Sequence, residues 1–496
     1  MHTIEAGGRG FDSRALRSRG ARLAALATFF LCLRVPSAAT AEAPSPLVIE
    51  GGSAFDAATG RMQPFAAIVI EGGRIAAIVP PGGTYLAPPG ARVIDARGRF
   101  VIPGLIDGHV HLVHILRTLQ ITADELFPLF LAQGITTLRD VGDEVVAEKL
   151  LQKNAAEHPA AAPRIVMGSM LVDGNPPYHA FISWPITDPA KVPAFVEDMT
   201  GWGVQTFKIY VGTSRPVGQA VIREAHLRGK WVTAHLAWDY RAQDAVADGI
   251  DSLEHAGALL EFLLPPETPR WPPPAERVGR SAAELAALER SILEIKAAVD
   301  LTAPRVTAFI ASLVERKVAV DPTLVVYRNW MLLRDLPEVQ EQPDLRALPS
   351  RLREGWIRAA QAQPLDPATL ELRQRQFAKL EELTGMLYRA GVELMAGTDT
   401  PVQFCPPGGA MHQELELLTA AGLTPADALI AATKHNARAL GEAGQLGTIE
   451  PGKLADLVIL DADPLTDIRN TRKIHRVIHA GYVSDPAVLL RTVPLR

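Results

Sequence analysis

The sequence predicts an α/β fold, a (β/α)8 TIM-like barrel carrying a composite β-sandwich built from both chain ends, and three observations lead there. The middle of the chain alternates apolar strand-like runs with helix patterns, and there are eight such runs. Short β-rich runs with glycine turns come before this middle and return after it. Polar residues able to bind or react stand at the ends of several runs, where a barrel builds its active site.

In chain order, residues 1–41 read as a secretory signal. Arg9, Arg14, Arg17, Arg19 and Arg22 precede the apolar stretch 23–33, and Ala39-Thr40-Ala41 has cleavage-site spacing. The apolar stretch is shorter than the roughly 20 residues of a membrane span. The expectation is an exported protein, periplasmic or extracellular, with no membrane span after cleavage; a frayed amphipathic N-terminus or a start codon placed too far upstream is the alternative. Cys32 leaves with the signal, and the remaining Cys405 has no internal partner for a bridge. A chain of 496 residues with 48% hydrophobic and 21% charged side chains is neither disordered nor a disulfide scaffold. Its net charge of -5, without runs of like charge, gives no nucleic-acid footprint, so the expected partner is a small molecule. Homo-oligomer formation is left open.

Residues 42–103 form the first part of the expected sandwich. Ile68, Val69 and Ile70 make one run, Gly72-Gly73 the turn, and residues 74–79 the return. The barrel is assigned to 104–445, with its strand-like runs at 101–111, 135–141, 164–168, 204–211, 231–235, 251–255, 318–323 and 392–399. Helices are expected at 217–227, ending in Arg228-Gly229, and from Thr424-Pro425 to Leu440 with proline at the first position. Two insertions, near 259–305 (opening on a proline cluster) and 335–390, are read as lids over the C-terminal face. Residues 446–496, with runs at 456–460 and 476–483, complete the sandwich.

His109 and His111 lie two apart at the end of an extended run, so both side chains leave the same face and can share a cation. Such a pair is weak alone. His235, His255 and Asp399, however, also end strand-like runs, and burying such groups together is costly unless a divalent ion satisfies them. Lys208 shares a face with Thr206 and Tyr210; an ammonium turned into a metal-holding barrel is desolvated and repelled, which favours the neutral amine that reacts with carbon dioxide. Pairing with an acid is the alternative. His114 is assigned to a loop, and His412 and His435 to helix surfaces without function.

Taken together, residues 101–111 (with Gly108-His109-Val110-His111), 135–142, Phe207-Lys208-Ile209, 232–235, 249–255, Gly397-Thr398-Asp399-Thr400 and 447–460 resemble the amidohydrolase superfamily. Within it they resemble the imidazolonepropionase-like branch that holds metal-dependent dipeptidases and ochratoxinase-like amidases. The resemblance covers about residues 47–485. It implies two divalent metal ions, zinc first and manganese, iron or cobalt as alternatives. His109 and His111 would hold the more buried ion, His235 and His255 the second, a carbamate on Lys208 would bridge them, and Asp399 would be both ligand and proton shuttle.

The activity this implies is hydrolysis of an amide, a dipeptide or N-acyl amino acid, by a metal-bridged hydroxide. Tyr210 is a candidate hydrogen-bond donor to the oxyanion, with a packing tyrosine at the rim as the alternative, and Arg139 and His179 are candidate binders of a substrate carboxylate, a buried structural arginine and a solvent-facing histidine being the favoured alternatives. Hydrolysis of a cyclic amide, lactone or organophosphate-like ester at the same site is the alternative, and a non-catalytic barrel a third reading.

Overall fold

The computed structural model describes residues 44–236, 239–333, 342–362, 364–400 and 402–493. The expected signal segment with Cys32 lies outside them, as do residues 335–341 of the second expected lid. Seven strands precede the barrel: β1 (Leu47–Glu50), β2 (Ser53–Asp56), β3 (Arg61–Pro64), β4 (Ala67–Glu71), β5 (Arg74–Val79), β6 (Arg92–Asp95) and β7 (Phe100–Pro103). Nine follow: β8 (Leu105–Val110), β9 (Ile135–Asp140), β10 (Arg164–Val166), β11 (Leu171–Asp173), β12 (Ser183–Pro185), β13 (Thr206–Ile209), β14 (Trp231–Ala234), β15 (Ser252–Glu254) and β16 (Ala319–Asp321). After the barrel come β17 (Leu457–Leu460), β18 (Ile474–His479) and β19 (Tyr482–Ser484).

Both chain ends build the sandwich, one sheet running β5-β4-β1-β6 and the other β19-β18-β17-β7-β2-β3. Alternation decides which side chains face inward: Leu47, Ile49, Ile68 and Ile70 from one sheet meet Val101, Leu457, Ile459 and Ile478 from the other. The β4–β5 hairpin turns at Gly72 and Gly73, both at positive φ, the backbone that a two-residue turn between twisted strands requires. The expected run 101–111 is in fact two strands. β7 pairs with β17 in the sandwich while β8 pairs with β9 in the barrel, and the chain passes between them at Gly104, where a Cβ would stand 2.1 Å from Thr136 Oγ1.

Eight segments close the barrel. β8, β9 and β10 are parallel neighbours, as are β13, β14, β15 and β16. A bridge from Gly168 to Thr206 joins the two groups on one side, and bridges from Val320 to Leu394 and Val110 to Thr400 join them on the other through the segment 392–400. Its hydrogen bonds run to both sides, Met395 N to Val320 O at 2.8 Å and His111 N to Thr400 O at 3.0 Å. The eighth expected strand is thus corrected to an irregular segment that holds the ring by isolated bridges and leaves extended geometry at its end, Asp399, whose φ is +50°. β11 and β12 are additional to the expected set, and β11 lies beside β13.

The expected helix at 217–227 is observed as Arg215–His226, and Thr424 caps the helix at Pro425–Ile430 by accepting from Asp427 N. Within the two insertions, the helices Ala282–Ala297 and Pro367–Ala390 pack on each other. No helix among the described residues is long and apolar enough to cross a membrane.

Barrel and sandwich are tied by a buried carboxylate. Asp456, just before β17, takes Arg164 of β10 and the His479 ring of β18, the latter at 3.0 Å. Burial pushes its carboxyl up, but His479 and Arg164 outweigh this and hold it well below the ordinary range. Its contribution is therefore present above the unfolded carboxylate range and fades as pH falls through it. Asp456→Asn should cost about 1.5–3 kcal/mol at neutral pH, and urea midpoints should show the gap narrowing below about pH 4.

Candidate metal centre

The side chains singled out in the sequence meet at the C-terminal ends of the barrel segments. His109 Nε2 and His111 Nε2 lie 3.5 Å and 3.4 Å from Asp399 Oδ1, close enough for one cation to contact all three. The His255 ring centroid is 4.7 Å from that of His109 and 4.5 Å from that of His235. Lys208, on β13, is 1% exposed, and its charge acts on all four of these histidines and on Asp399.

Three of the four rings are aimed by the nitrogen that faces away from the centre. His109 Nδ1 is 2.9 Å from Glu254 Oε2, His111 Nδ1 3.0 Å from the Gly142 carbonyl, and His255 Nδ1 2.8 Å from Thr323 Oγ1. This leaves the Nε2 atoms for a ligand and fixes ring orientation, as second partners of metal-binding histidines do. Burial pushes His109 down to about 4 and His235 to about 3, and it depresses His255 strongly, so these rings are neutral at pH 7, the state that can donate a lone pair to a metal. For Asp399 burial works upward, but the hydrogen bond to His111, whose own pKa is raised in return, prevails and keeps it ionised. Two positions, His255 at φ +71° and Asp399 at φ +50°, hold backbone that side chains other than glycine seldom adopt. At His255 this breaks strand alternation, so that Glu254 and His255 both reach His109.

Buried polar atoms without partners mark the centre. Lys208 Nζ and both carboxylate oxygens of Asp321 have no hydrogen-bond partner among the described residues. Desolvation is the main reason that Lys208 is lowered to about 8. Three imidazoles in the donor state, an ionised carboxylate that a fourth imidazole shares, and enclosed atoms awaiting partners together fit a metal-binding centre. Gly397 completes the fit, since a Cβ there would stand 2.3 Å from Asp321 Oδ2 and 2.4 Å from His109 Cβ. A further group, His111 with Asp140 and Asp143, is also close-set. Its carboxylates accept the backbone N–H groups of Leu112, Val113 and His114, so they cap the helix Leu112–Leu119, which has no side-chain cap of its own.

Around the centre, Tyr210 stands with its ring 5.3 Å from that of His235. Burial raises its phenol far above the usual value, so it keeps its proton. His179 lies 5.7 Å from Tyr210, ring to ring, and burial lowers it to about 4. Arg139 takes the structural one of its two expected places. It is fully buried and its Nη2 is paired with Glu254, which makes it the counter-ion of a carboxylate that aims His109, with no surface from which to bind a substrate. His114 belongs to the helix Leu112–Leu119 and stacks on Phe181 at 5.2 Å; His412 is a fully buried helix residue held by Thr471 and the Gln133 carbonyl. Sequence reading missed Glu254 and Asp321; the signal available was an acid inside a barrel strand, one residue before a candidate ligand in the first case.

Several known proteins are similar to this chain. The adenine deaminase of Rubrobacter xylanophilus is 28% identical over 245 residues, 46% of this chain and 38% of that protein. Adenine deaminase 3 of Rhizobium meliloti is 34% identical over 105 residues, 21% of this chain and 17% of that protein. The chain thus spans well under half the length of these curated relatives. Among solved structures, a bottromycin amidohydrolase superposes with a TM-score of 0.66 at 26% identity, covering 90% of this chain and 88% of its own. A Xaa-Pro dipeptidase with bound methionine gives 0.60 at 21% identity, covering 88% and 99%, which shows a shared fold. Residues 100–265 and 311–483 match the Amidohydrolase family, a span that holds every residue of the centre just described. On that match, carried across most of the barrel and into the sandwich, the chain belongs to the amidohydrolase family.

Proposed function

We propose that the chain is a binuclear metal-dependent amidohydrolase that cleaves an amide bond, with a dipeptide or N-acyl amino acid as substrate. The observation that carries this reading is the convergence of His109, His111, His235, His255, Lys208 and Asp399 on one buried centre at the C-terminal face of the barrel. In it, His109, His111 and Asp399 would hold one divalent ion, zinc in the first instance, and His235 and His255 a second, and Lys208 would serve them as a carbamate. Such ions, when bound, acidify water and polarise a carbonyl.

The chain's own groups do the rest. Asp399, ionised and hydrogen-bonded to His111, accepts the proton released as water attacks the carbonyl carbon. As the C–N bond breaks, Asp399 returns that proton to the departing nitrogen, so the products are a carboxylic acid and an amine. Tyr210, held protonated beside His235, donates a hydrogen bond to the oxygen that gains charge. Glu254 and Thr323 keep His109 and His255 turned toward the centre throughout.

Asp399→Asn should lower kcat by about 10²–10⁴-fold, the range for loss of a positioned proton carrier. Steady-state kinetics on protein of measured metal content is the check; unchanged turnover at unchanged metal would sink the assignment. The names of the curated relatives favour a second reading, hydrolytic deamination of an aminopurine. A panel of dipeptides, N-acyl amino acids, lactones and adenine, run with metal analysis of the same preparation, separates the two. Export is part of the proposal as well, and N-terminal sequencing of the mature protein tests it.

A further inference from the structure

Two guanidinium groups at the mouth of the barrel have no carboxylate partner among the described residues. Arg117 lies 4.9 Å over the Phe181 ring. Arg277 ends the short helix Pro274–Arg277 of the first insertion, donating its Nε to the Pro272 carbonyl at 2.9 Å, with its guanidinium 5.5 Å from the Trp271 ring centroid. Its Nη2 is enclosed and has no hydrogen-bond partner among the described residues. The acid beside it in sequence, Glu276, is taken by Arg270 at 2.8 Å. Arg139, Arg164 and Arg472 by contrast each reach a carboxylate, of Glu254, Asp456 and Asp344, while half-buried Arg328 is held by the amides of Asn329 and Gln413.

Arg277 also has a direction. It hydrogen-bonds Tyr178, whose phenol burial pushes up and the charge and hydrogen bond of Arg277 draw back. The Tyr178 ring is 6.1 Å from that of Tyr210, which in turn stands beside His235. Ring contacts therefore connect the metal centre to a guanidinium whose Nη2 has no acceptor among the described residues. A carboxylate one residue beyond a scissile nitrogen lies farther out by about 3.5 Å per residue of extended chain, and a guanidinium with a free N–H in a water-poor place binds such an anion strongly.

We propose that Arg277 anchors a carboxylate of the substrate, so that the enzyme selects amides with a free carboxyl group next to the scissile bond over neutral amides. The assignment rests on the amide-hydrolase reading and gives the carboxylate-binding role, once expected of Arg139, to a residue of the insertion. The test uses N-acetyl and N-benzoyl derivatives of glycine, phenylalanine and proline, each as free acid and as C-terminal carboxamide. The wild type should favour the acids by about 10–100-fold in kcat/KM, the range of a charge-assisted hydrogen bond. Arg277→Gln should bring that ratio to within about threefold of unity, chiefly through KM, and Arg277→Lys should restore part of it.

Calorimetric titration of the same acids into metal-stripped protein, where turnover stops, gives a second readout, and Arg277→Gln should weaken their binding by a similar factor. Hydrolysis of none of the probes by the wild type would sink the amide reading, and calorimetry would still judge Arg277. An acid-to-carboxamide ratio equal in wild type and Arg277→Gln, or acid binding unmoved by that change, overturns the proposal.

Discussion

Lys208→Met should reduce hydrolysis by on the order of 10³-fold, the scale on which loss of one charge-stabilising group in a closed site is felt, and the purified variant should retain fewer divalent ions per chain. Methionine keeps the volume of the side chain while removing the nitrogen. The same change has the opposite effect on the metal-free protein. There Lys208 Nζ is buried without a hydrogen-bond partner, and its pKa falls from 10.5 to about 8, first through burial and then through the charge of Arg139, while Glu254, Asp399 and Asp321 pull it back up. Folding with a depressed lysine pKa means that the unfolded chain binds more protons between these two values, so metal-free wild type gains stability as pH rises from about 8 to 10.5. That slope should be missing in Lys208→Met, and the metal-free variant should melt no earlier than wild type at pH 7. With metal present the order reverses, since an ion that binds only the folded state adds stability in proportion to its affinity. Thermal melts with and without chelator, across pH, check both signs; a metal-free variant that melts earlier at pH 7 with the slope intact would contradict the account.

Arg139→Met should be the most destabilising single change in the barrel, by about 3–5 kcal/mol, the cost of removing one partner of a buried ion pair. Arg139 and Glu254 are both wholly enclosed, and Glu254 also holds His109 and accepts from Thr233 Oγ1. Burial pushes the Glu254 carboxyl up, but Arg139, Lys208 and His109 together hold it strongly down, and without Arg139 a charge remains inside with much of its compensation gone. Arg139→Met with Glu254→Gln should recover part of the loss, because the orphaned charge is then removed too. Urea midpoints at equal m-value measure both. An arginine facing substrate would behave otherwise, raising KM on replacement and leaving the midpoint where it was.

The contrast between these two residues shows what was legible in the sequence. Lys208, His109, His111, His235, His255 and Asp399 could be located because strand periodicity places residues at the C-terminal ends of barrel segments, and the residue types there are ligand-capable. Arg139 could be placed on β9 by the same reasoning, yet its role depends on Glu254 of β15, 115 positions later, and periodicity carries no information on which strand ends touch across a barrel. Asp321 escaped notice for a similar reason, since an acid in a short apolar run shows its importance only when its oxygens are seen enclosed without partners.

Local pattern alone determined the barrel with its two-ended sandwich and the positions of the candidate ligands. Alternation and turn chemistry act over a few residues, and those suffice to set which side chains leave a strand toward the interior. Tertiary structure alone decided the rest: that segment 392–400 closes the ring without being a regular strand, that Asp140 and Asp143 cap a helix, that Arg139 neutralises Glu254, and that Arg277 of the insertion is left without an acid. Each of these turns on electrostatics and packing between residues far apart in sequence, and such terms take their sign from burial and distance, which exist only once the chain has folded.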